Sequence, residues 1–417
     1  MSLNTELMGV NAAQSSIDTI GNNIANMNTE GFKGSTMEFA DLIGTSLEGT
    51  SGNTLTPGQG VVSSDLSQLF TEGTISQTGN PLDLAINGQG FFQMQTDQGI
   101  MYTRAGSFQV NTDGHLVDPS GNELMGYVTA GSGSAIGAVG DLQINTSTLP
   151  GTATSSLGLN INLPTTDSAI SSGTAFNPSS ASTYDESTAT TVYDSVGTGY
   201  TLTSYFTRVS GSGTPDKWQV NWQLTNPTTG AAIASGTGPQ LSFNSAGTLT
   251  GATSGAGTAV SVAALPDGAS ALNVAYNFTG TSLSADAFGV NSIANNGNAP
   301  GTFTGVQIDT NGQIVGQYSN GQTKSFGTIA LANFANPQGL TPMTGNFWQV
   351  TQDSGPALLA APNTQGLGTL QSGAIEGSNV DLSTQLVNLI VAQQAFQANA
   401  QAISYEQQNI QKLLEIQ

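Results

Sequence analysis

The two ends of the chain decide its architecture: LNTELMGVNAAQSSIDTIGNNIANM at residues 3–27 and DLSTQLVNLIVAQQAFQANAQAISYEQQNIQKLLE at residues 381–415. In the first, Leu3, Val10, Ile17 and Ile24 fall one heptad apart, and Ala13, Ile20 and Met27 follow three residues behind their partners. In the second, Leu382, Leu389, Phe396, Ile403 and Ile410 keep the same step, with Leu386, Ala400 and Leu414 as a second edge. A seven-residue apolar repeat held this long predicts helices that pack lengthwise on other helices. Neither can bury its stripe alone, so the ends must meet each other or further copies of the chain. The second helix, from about 380 to 416, would be roughly 50 Å long, with Ser378 and Asn379 available just before it as capping groups. Its other positions are largely amides, including Gln393, Gln394, Gln397, Gln401, Gln408 and Gln411.

Between the ends the chain reads as strand and turn. Leu82, Leu84 and Ile86 alternate up to Asn87-Gly88, and Phe91, Phe92 and Met94 follow as a second strand. A further hairpin is expected around Asp113-Gly114. Leu157, Leu159, Ile161 and Leu163 make a strict period-two run, as do Trp218, Val220, Trp222 and Leu224. Strands are also expected at Thr190–Val196 and Tyr200–Val209, and the turns Asn311-Gly312 and Asn320-Gly321 separate later apolar segments. Residues 44–60 read as a linker or arm, and 130–156, 245–260 and 291–301 as turn-rich breaks.

Composition narrows the function. Only 8% of the 417 residues are charged, against about a quarter in an average soluble domain. Net charge is −21, and Lys33, Arg104, Arg208, Lys217, Lys324 and Lys412 are scattered singly, so no basic stripe exists for nucleic acid or anionic membrane. No apolar run is long enough to insert in a membrane, and the N-terminus lacks the features of a cleavable signal peptide. No cysteine is present, which removes disulfides and thiolate metal sites. The single histidine, His115, comes directly after a tight turn and reads as the first residue of a return strand rather than as a catalytic base. Asp309-Thr310-Asn311-Gly312 opens like a calcium loop but lacks its later ligands, and reads as a hairpin turn. No catalytic, cofactor or metal residues are expected. A secreted β-rich adhesin or surface enzyme with helical ends is the rival class to an assembling protein.

Three blocks carry a resemblance. Ile20-Gly21-Asn22-Asn23-Ile24-Ala25-Asn26 with Thr29 and Gly31-Phe32-Lys33 is one. Tyr102-Thr103-Arg104-Ala105-Gly106-Ser107-Phe108 with Asp113-Gly114 is the second. Ser378-Asn379-Val380-Asp381-Leu382 with Ile390-Val391-Ala392-Gln393 is the third. Together they resemble the signatures of the bacterial flagellar rod and hook proteins. Thr191-Val192-Tyr193-Asp194-Ser195, Tyr318-Ser319-Asn320-Gly321-Gln322 and Leu331-Ala332-Asn333-Phe334-Ala335-Asn336-Pro337-Gln338-Gly339-Leu340 point to the hook branch, since the distal-rod relative is shorter and lacks the middle domain. Gln394 and Phe396 stand where the family often has Arg and Tyr, and residues 225–300 align with no block of the family.

The resemblance implies a mainly β fold of nested, discontinuous domains with paired terminal helices. The terminal helical domain would comprise residues 1–35 and 375–417, a linker or arm 36–72, an inner β domain 73–145 and 300–374, and an inserted outer β domain 146–299. It implies a homopolymeric tube that joins rod to filament, bends, transmits torque and carries exported substrates. The expected partners are the chain itself, the distal rod, hook cap and hook–filament junction proteins, and the flagellar export apparatus. The heptad residues Leu3, Val10, Ile17, Ile24, Leu382, Leu386, Leu389, Phe396, Ile403 and Ile410 would drive polymerisation. Gly21, Asn22, Asn23, Asn26, Gly31, Phe32, Asn379 and Asp381 are the family-motif positions. Its expected place is the extracellular hook, reached without a cleaved signal.

Overall fold

The computed structural model describes residues 3–42, 60–129, 136–171, 174–209, 216–253 and 259–415. The chain divides into two compact units, Met1–Thr146 with Gly305–Gln317 and Thr323–Gln417, and Ser147–Thr304 with Tyr318–Gln322.

In the first unit, helix α1 (Leu3–Ala25) and helix α2 (Leu382–Glu415) pack on each other. Asp381, not Ser378 or Asn379, caps α2: its Oδ1 accepts the Thr384 N–H at 2.8 Å and the Thr384 hydroxyl at 2.7 Å. Asn379 instead accepts the Gly34 N–H and donates to the carbonyl oxygens of Leu69 and Thr71. The segment read as linker or arm contains two antiparallel strands, β1 (Ser35–Asp41) and β2 (Val61–Gln68). The Gly-rich stretch that prompted that reading lies outside the described residues apart from Gly60.

The remainder of this unit is a set of short antiparallel strands. Asn87-Gly88 does not close a hairpin: Leu84–Asn87 pairs with Thr369–Ser372, while Phe91–Thr96 pairs with Gly99–Thr103. Leu84, Ala85 and Ile86 are all buried, so the apparent alternation was a strand covered on both faces. The other two-residue turns behave as expected. Asp113-Gly114 joins Gln109–Val110 to Leu116–Val117, and Asn320-Gly321 joins Gln313–Tyr318 to Thr323–Ile329. Within 130–156, Ile136–Asp141 is a strand beside Glu123–Thr129. One core of this unit gathers Phe91, Tyr102, Phe334, Leu340 and Trp348, with ring centroids 4.9–5.7 Å apart at steep angles for Phe91–Phe334, Phe91–Trp348 and Tyr102–Phe334.

The second unit is all β. Five antiparallel strands run in order from Glu186–Tyr193 through Gly199–Val209, Asp216–Thr225 and Ala232–Phe243 to Leu249–Thr253. A second sheet centres on Ser156–Pro164, which pairs in parallel with Leu272–Asn277 and Ser282–Ser284 and antiparallel with Gly289–Asn295. Both period-two runs bury the faces they promised: Leu157, Leu159, Ile161 and Leu163 meet Trp218, Val220, Trp222 and Leu224 in one core. The stretches 245–260 and 291–301 conceal strands, because Gly289–Asn295 is almost wholly exposed and carries no apolar rhythm.

Trp218 is fully buried within a core built only of this unit's own residues. Trp218→Ala is expected to cost about 3–5 kcal/mol. Calorimetry of the full chain should place that loss in one transition and leave the melting of the helices unchanged.

Candidate functional site

Two features of the first unit could do work: a buried ionic knot where the chain's two halves close, and the free faces of the terminal helices. The knot is built on Glu376, which is 0% exposed. Its Oε1 meets the Lys33 ammonium at 2.5 Å and its Oε2 the Arg104 guanidinium at 3.1 Å. Lys33 also donates to the Thr71 carbonyl, Arg104 to those of Ile86 and Gly88, and the Gly73 N–H donates to Oε1. Arg104 lies 5.5 Å from the centroid of the Phe91 ring. Burial pushes the Lys33 and Arg104 pKa values down, and Glu376 opposes this in both. Gly31 completes the closure, its N–H donating to the Glu376 carbonyl. Its φ is +63°, and a Cβ there would stand 2.5 Å from the Ala105 nitrogen, so the position requires glycine.

The motif asparagines tie α1 to the turn and strand that come after it. Asn23 is buried and brackets Ser35, donating to its carbonyl and accepting its N–H. Asn26 donates to Asn22 and accepts from Thr29, which shapes the turn after α1. Gly21 is exposed on the helix, with open space where a Cβ would stand, and Phe32 is half-buried.

The helices run antiparallel. The Asn399 side chain lies against Gly9, while Ala13, Ser16 and Ile20 share a cavity of about 450 Å³ with Asn388, Ala392 and Ala395. Along α2, Leu389, Ala392, Phe396, Asn399 and Ile403 are buried or half-buried, as are Val10, Ile17 and Ile24 on α1. Leu382 and Leu386 are exposed at the edge of this stripe, and Ile410 is exposed beyond the residues that α1 covers. At 1.5 Å per residue the helices are about 35 Å and about 51 Å long. The register places Leu3 opposite Tyr405, so residues 406–415 have no described α1 residue beside them.

The uncovered face of α2 changes character along its length. Leu382, Leu386, Val387, Ile390 and Val391 make its first part apolar, and Val387 is 60% exposed. From Gln394 to Gln408 the same face is largely amide, with Gln397, Gln401 and Gln408 all exposed and Tyr405 beside them. His115 stands 3.9 Å from Glu123, and the Asp309 carboxylate accepts the N–H groups of Asn311 and Gln313 as a turn does. Among the described residues no group of three or more His, Cys, Asp or Glu could hold a metal ion.

Four family models match separate stretches of the chain. A flagella basal body rod protein family matches residues 3–33, and the flagellar hook protein FlgE/F/G D1 domain 85–172. The flagellar basal body protein FlaE D2 domain matches 162–298, and the flagellar basal body rod FlgEFG protein C-terminal family 371–416. The flagellar hook protein FlgE of Escherichia coli (strain K12) is 35% identical, with all of both chains covered. That of Salmonella typhimurium is 36% identical with the same coverage. The chain belongs to the flagellar hook protein family. It is a structural subunit of the hook, part of the flagellum, where it polymerises. The crystal structure of Helicobacter pylori flagellar hook protein FlgE2 has the same fold, with a TM-score of 0.54 at 16% identity over 71% of this chain and 99% of that one. The D2 match also places residues 225–298, which carry no recognisable family block, inside a hook-family domain.

Composition and motifs did not reveal the ionic knot. Two of its members stand in the recognised blocks, Lys33 after Gly31-Phe32 and Arg104 after Tyr102-Thr103, but Glu376 lies in a turn-rich run that nothing marks. Glu376→Gln would leave two buried cations uncompensated and is expected to destabilise the first unit by about 3–5 kcal/mol. Urea denaturation should show that loss, with the unfolding of the second unit unaffected.

Proposed function

We propose that this chain forms a flexible tube of identical subunits that connects the envelope rod to the filament, bends as a universal joint, transmits torque and passes export substrates along its bore. The observation that carries the reading is the lengthwise division of the α2 free face. A row of exposed Leu, Val and Ile cannot remain in water at no cost, at about 25 cal/mol per Å² of apolar surface, so neighbouring copies cover it. The overhang 406–415, with Ile410 and Leu414 exposed, packs on a neighbour in the same way. The amide portion lines the channel, polar yet uncharged, so that unfolded substrates are neither held nor repelled.

The terminal helical domain comprises 1–35 and 375–417, with 36–72 as an arm, 73–145 and 300–374 as the inner β domain, and 146–299 as the outer one. Fixed contacts belong to the helices and sliding contacts to the polar β domains, which bury less per contact. The partners are the distal rod, hook cap and hook–filament junction proteins together with the export apparatus. The subunit works outside the cell body. No described helix is long and apolar enough to cross a membrane.

Ile390 is exposed, so Ile390→Asp should leave the α1–α2 pair and both units folded by circular dichroism while abolishing tubes in negative-stain micrographs. Tubes of normal length would remove this face from the assembly. Replacing Gln397, Gln401 and Gln408 together by Lys should permit hooks of normal shape but slow filament growth, measured by fluorescent labelling of the growing filament; unchanged growth would refute the channel assignment.

A further inference from the structure

The first unit has a groove that no described residue fills. It measures about 880 Å³ and lies where α1 ends, among the last two turns of that helix, the strand β2, the turn Asp118–Ser120 and the hairpin 341–349. Leu66, 46% exposed, lines it together with Met343 and Phe347. Three carboxylates, those of Asp18, Glu30 and Asp118, stand around the same space. Asp18 accepts an N–H from the Gln14 amide, and Asp118 accepts N–H groups of its own turn. No ion pair among the described residues engages any of the three. Lys33 is the only basic residue of the lining, and it is 1% exposed and committed to Glu376. Like charges in a partly enclosed space repel with little screening, and exposed leucine is costly in water. The groove therefore suits a guest that is apolar on one side and positive on the other.

We propose that this guest is the α2 overhang of a neighbouring copy, residues 406–415, seated head-to-tail. The contact rests on the polymer reading above and names the surface that the overhang uses. Ile410 and Leu414, four residues apart, share one side of the helix and are both exposed. Lys412, two residues from each, projects from the opposite side and is also exposed. It is the only charged residue in 407–414, since Glu406 and Glu415 stand at the two ends of the overhang. Lys33, Arg104 and Arg208 are held in ion pairs within the subunit, whereas Lys412 is in none among the described residues. A helix lying in a groove touches both walls, so this segment brings apolar surface to Leu66, Met343 and Phe347 and an ammonium to the acids. The placement of the two surfaces agrees. The overhang leaves the helix pair at the end where α1 begins, and the groove lies at the end where α1 stops, so no copy can fill its own groove. Copies stacked along the helix axis bring one to the other at an offset of about 30–40 Å, counted from the level of Leu3 and Tyr405 at 1.5 Å per residue.

Because the chain has no cysteine, a thiol-specific crosslinker reads the contact directly. Hooks isolated from cells that make only the doubly substituted chain, Ser120→Cys with Gln411→Cys, are treated with a short bismaleimide. A ladder extending well beyond the dimer is expected, since a head-to-tail contact leaves a reactive thiol at each end of every oligomer. Ser120→Cys with Gln397→Cys should give none. In chains without cysteine, Lys412→Glu should lower the number of hooks per cell about two- to fivefold, and adding Asp18→Lys should restore it. Hooks of normal shape that yield no ladder, or an equal ladder from the control pair, overturn the seating and leave the tube reading intact. A product that stops at the dimer reveals twofold pairing and equally overturns it. A hook count that Lys412→Glu leaves unchanged removes the charged contact and the proposal with it. Should the parent chain form no tubes, the polymer reading itself fails and takes this contact with it.

Discussion

One buried carboxylate holds the first unit closed. Glu376 receives Lys33 from the segment after α1 and Arg104 from the end of the strand Gly99–Thr103, and its own strand leads directly to α2. Charges this deep are stable only in company, since a lone buried ion costs several kcal/mol and a matched set offsets that through Coulomb attraction and hydrogen bonds. The knot therefore forms only when segments 343 and 272 residues away from Glu376 have arrived. The antiparallel meeting of α1 and α2 depends on that arrival, because the chain leaves the knot in both directions toward the helices.

The assembly chemistry rests on this closure. The α1–α2 pair covers one stripe of each helix and leaves the opposite face of α2 bare, apolar at first and amide beyond. The inward stripe contributes to the stability of one subunit, and the bare face is available to others. Asn23 and Asn379 extend the same logic with hydrogen bonds, fixing the strand β1 and the segment 69–71 relative to the helix ends. The family's motif residues are thus mostly joints between segments, made by asparagine amides, by glycine and by the capping carboxylate of Asp381.

Much of this was legible in the residues because it is periodic or local. The heptads of α1 and α2, the alternation at 157–163 and 218–224, and the turns Asp113-Gly114 and Asn320-Gly321 all report their structure over a few neighbouring positions. Asn87-Gly88 misled because Leu84–Asn87 pairs not with the next strand but with Thr369–Ser372, almost three hundred residues away. The strand Gly289–Asn295 was hidden since its two large apolar residues, Val290 and Ile293, are exposed and stand three apart, which is not the period-two alternation of a half-buried strand. The Glu376 knot was illegible because it joins residues distant in sequence through side chains that are individually ordinary. How the heptads divide between inward and outward faces was likewise open until the register of α2 on α1 was known.

The unequal length of the two helices has a consequence for size. A contact made by one copy's overhang on a different surface of the next is head-to-tail, and such contacts do not close on themselves unless the rotation happens to complete a ring. Every added copy then presents a fresh, unsatisfied overhang, so growth has no internal end point. Nothing in such a contact counts subunits. The length of the finished structure must be decided by something that stops supply, not by the chain that is supplied.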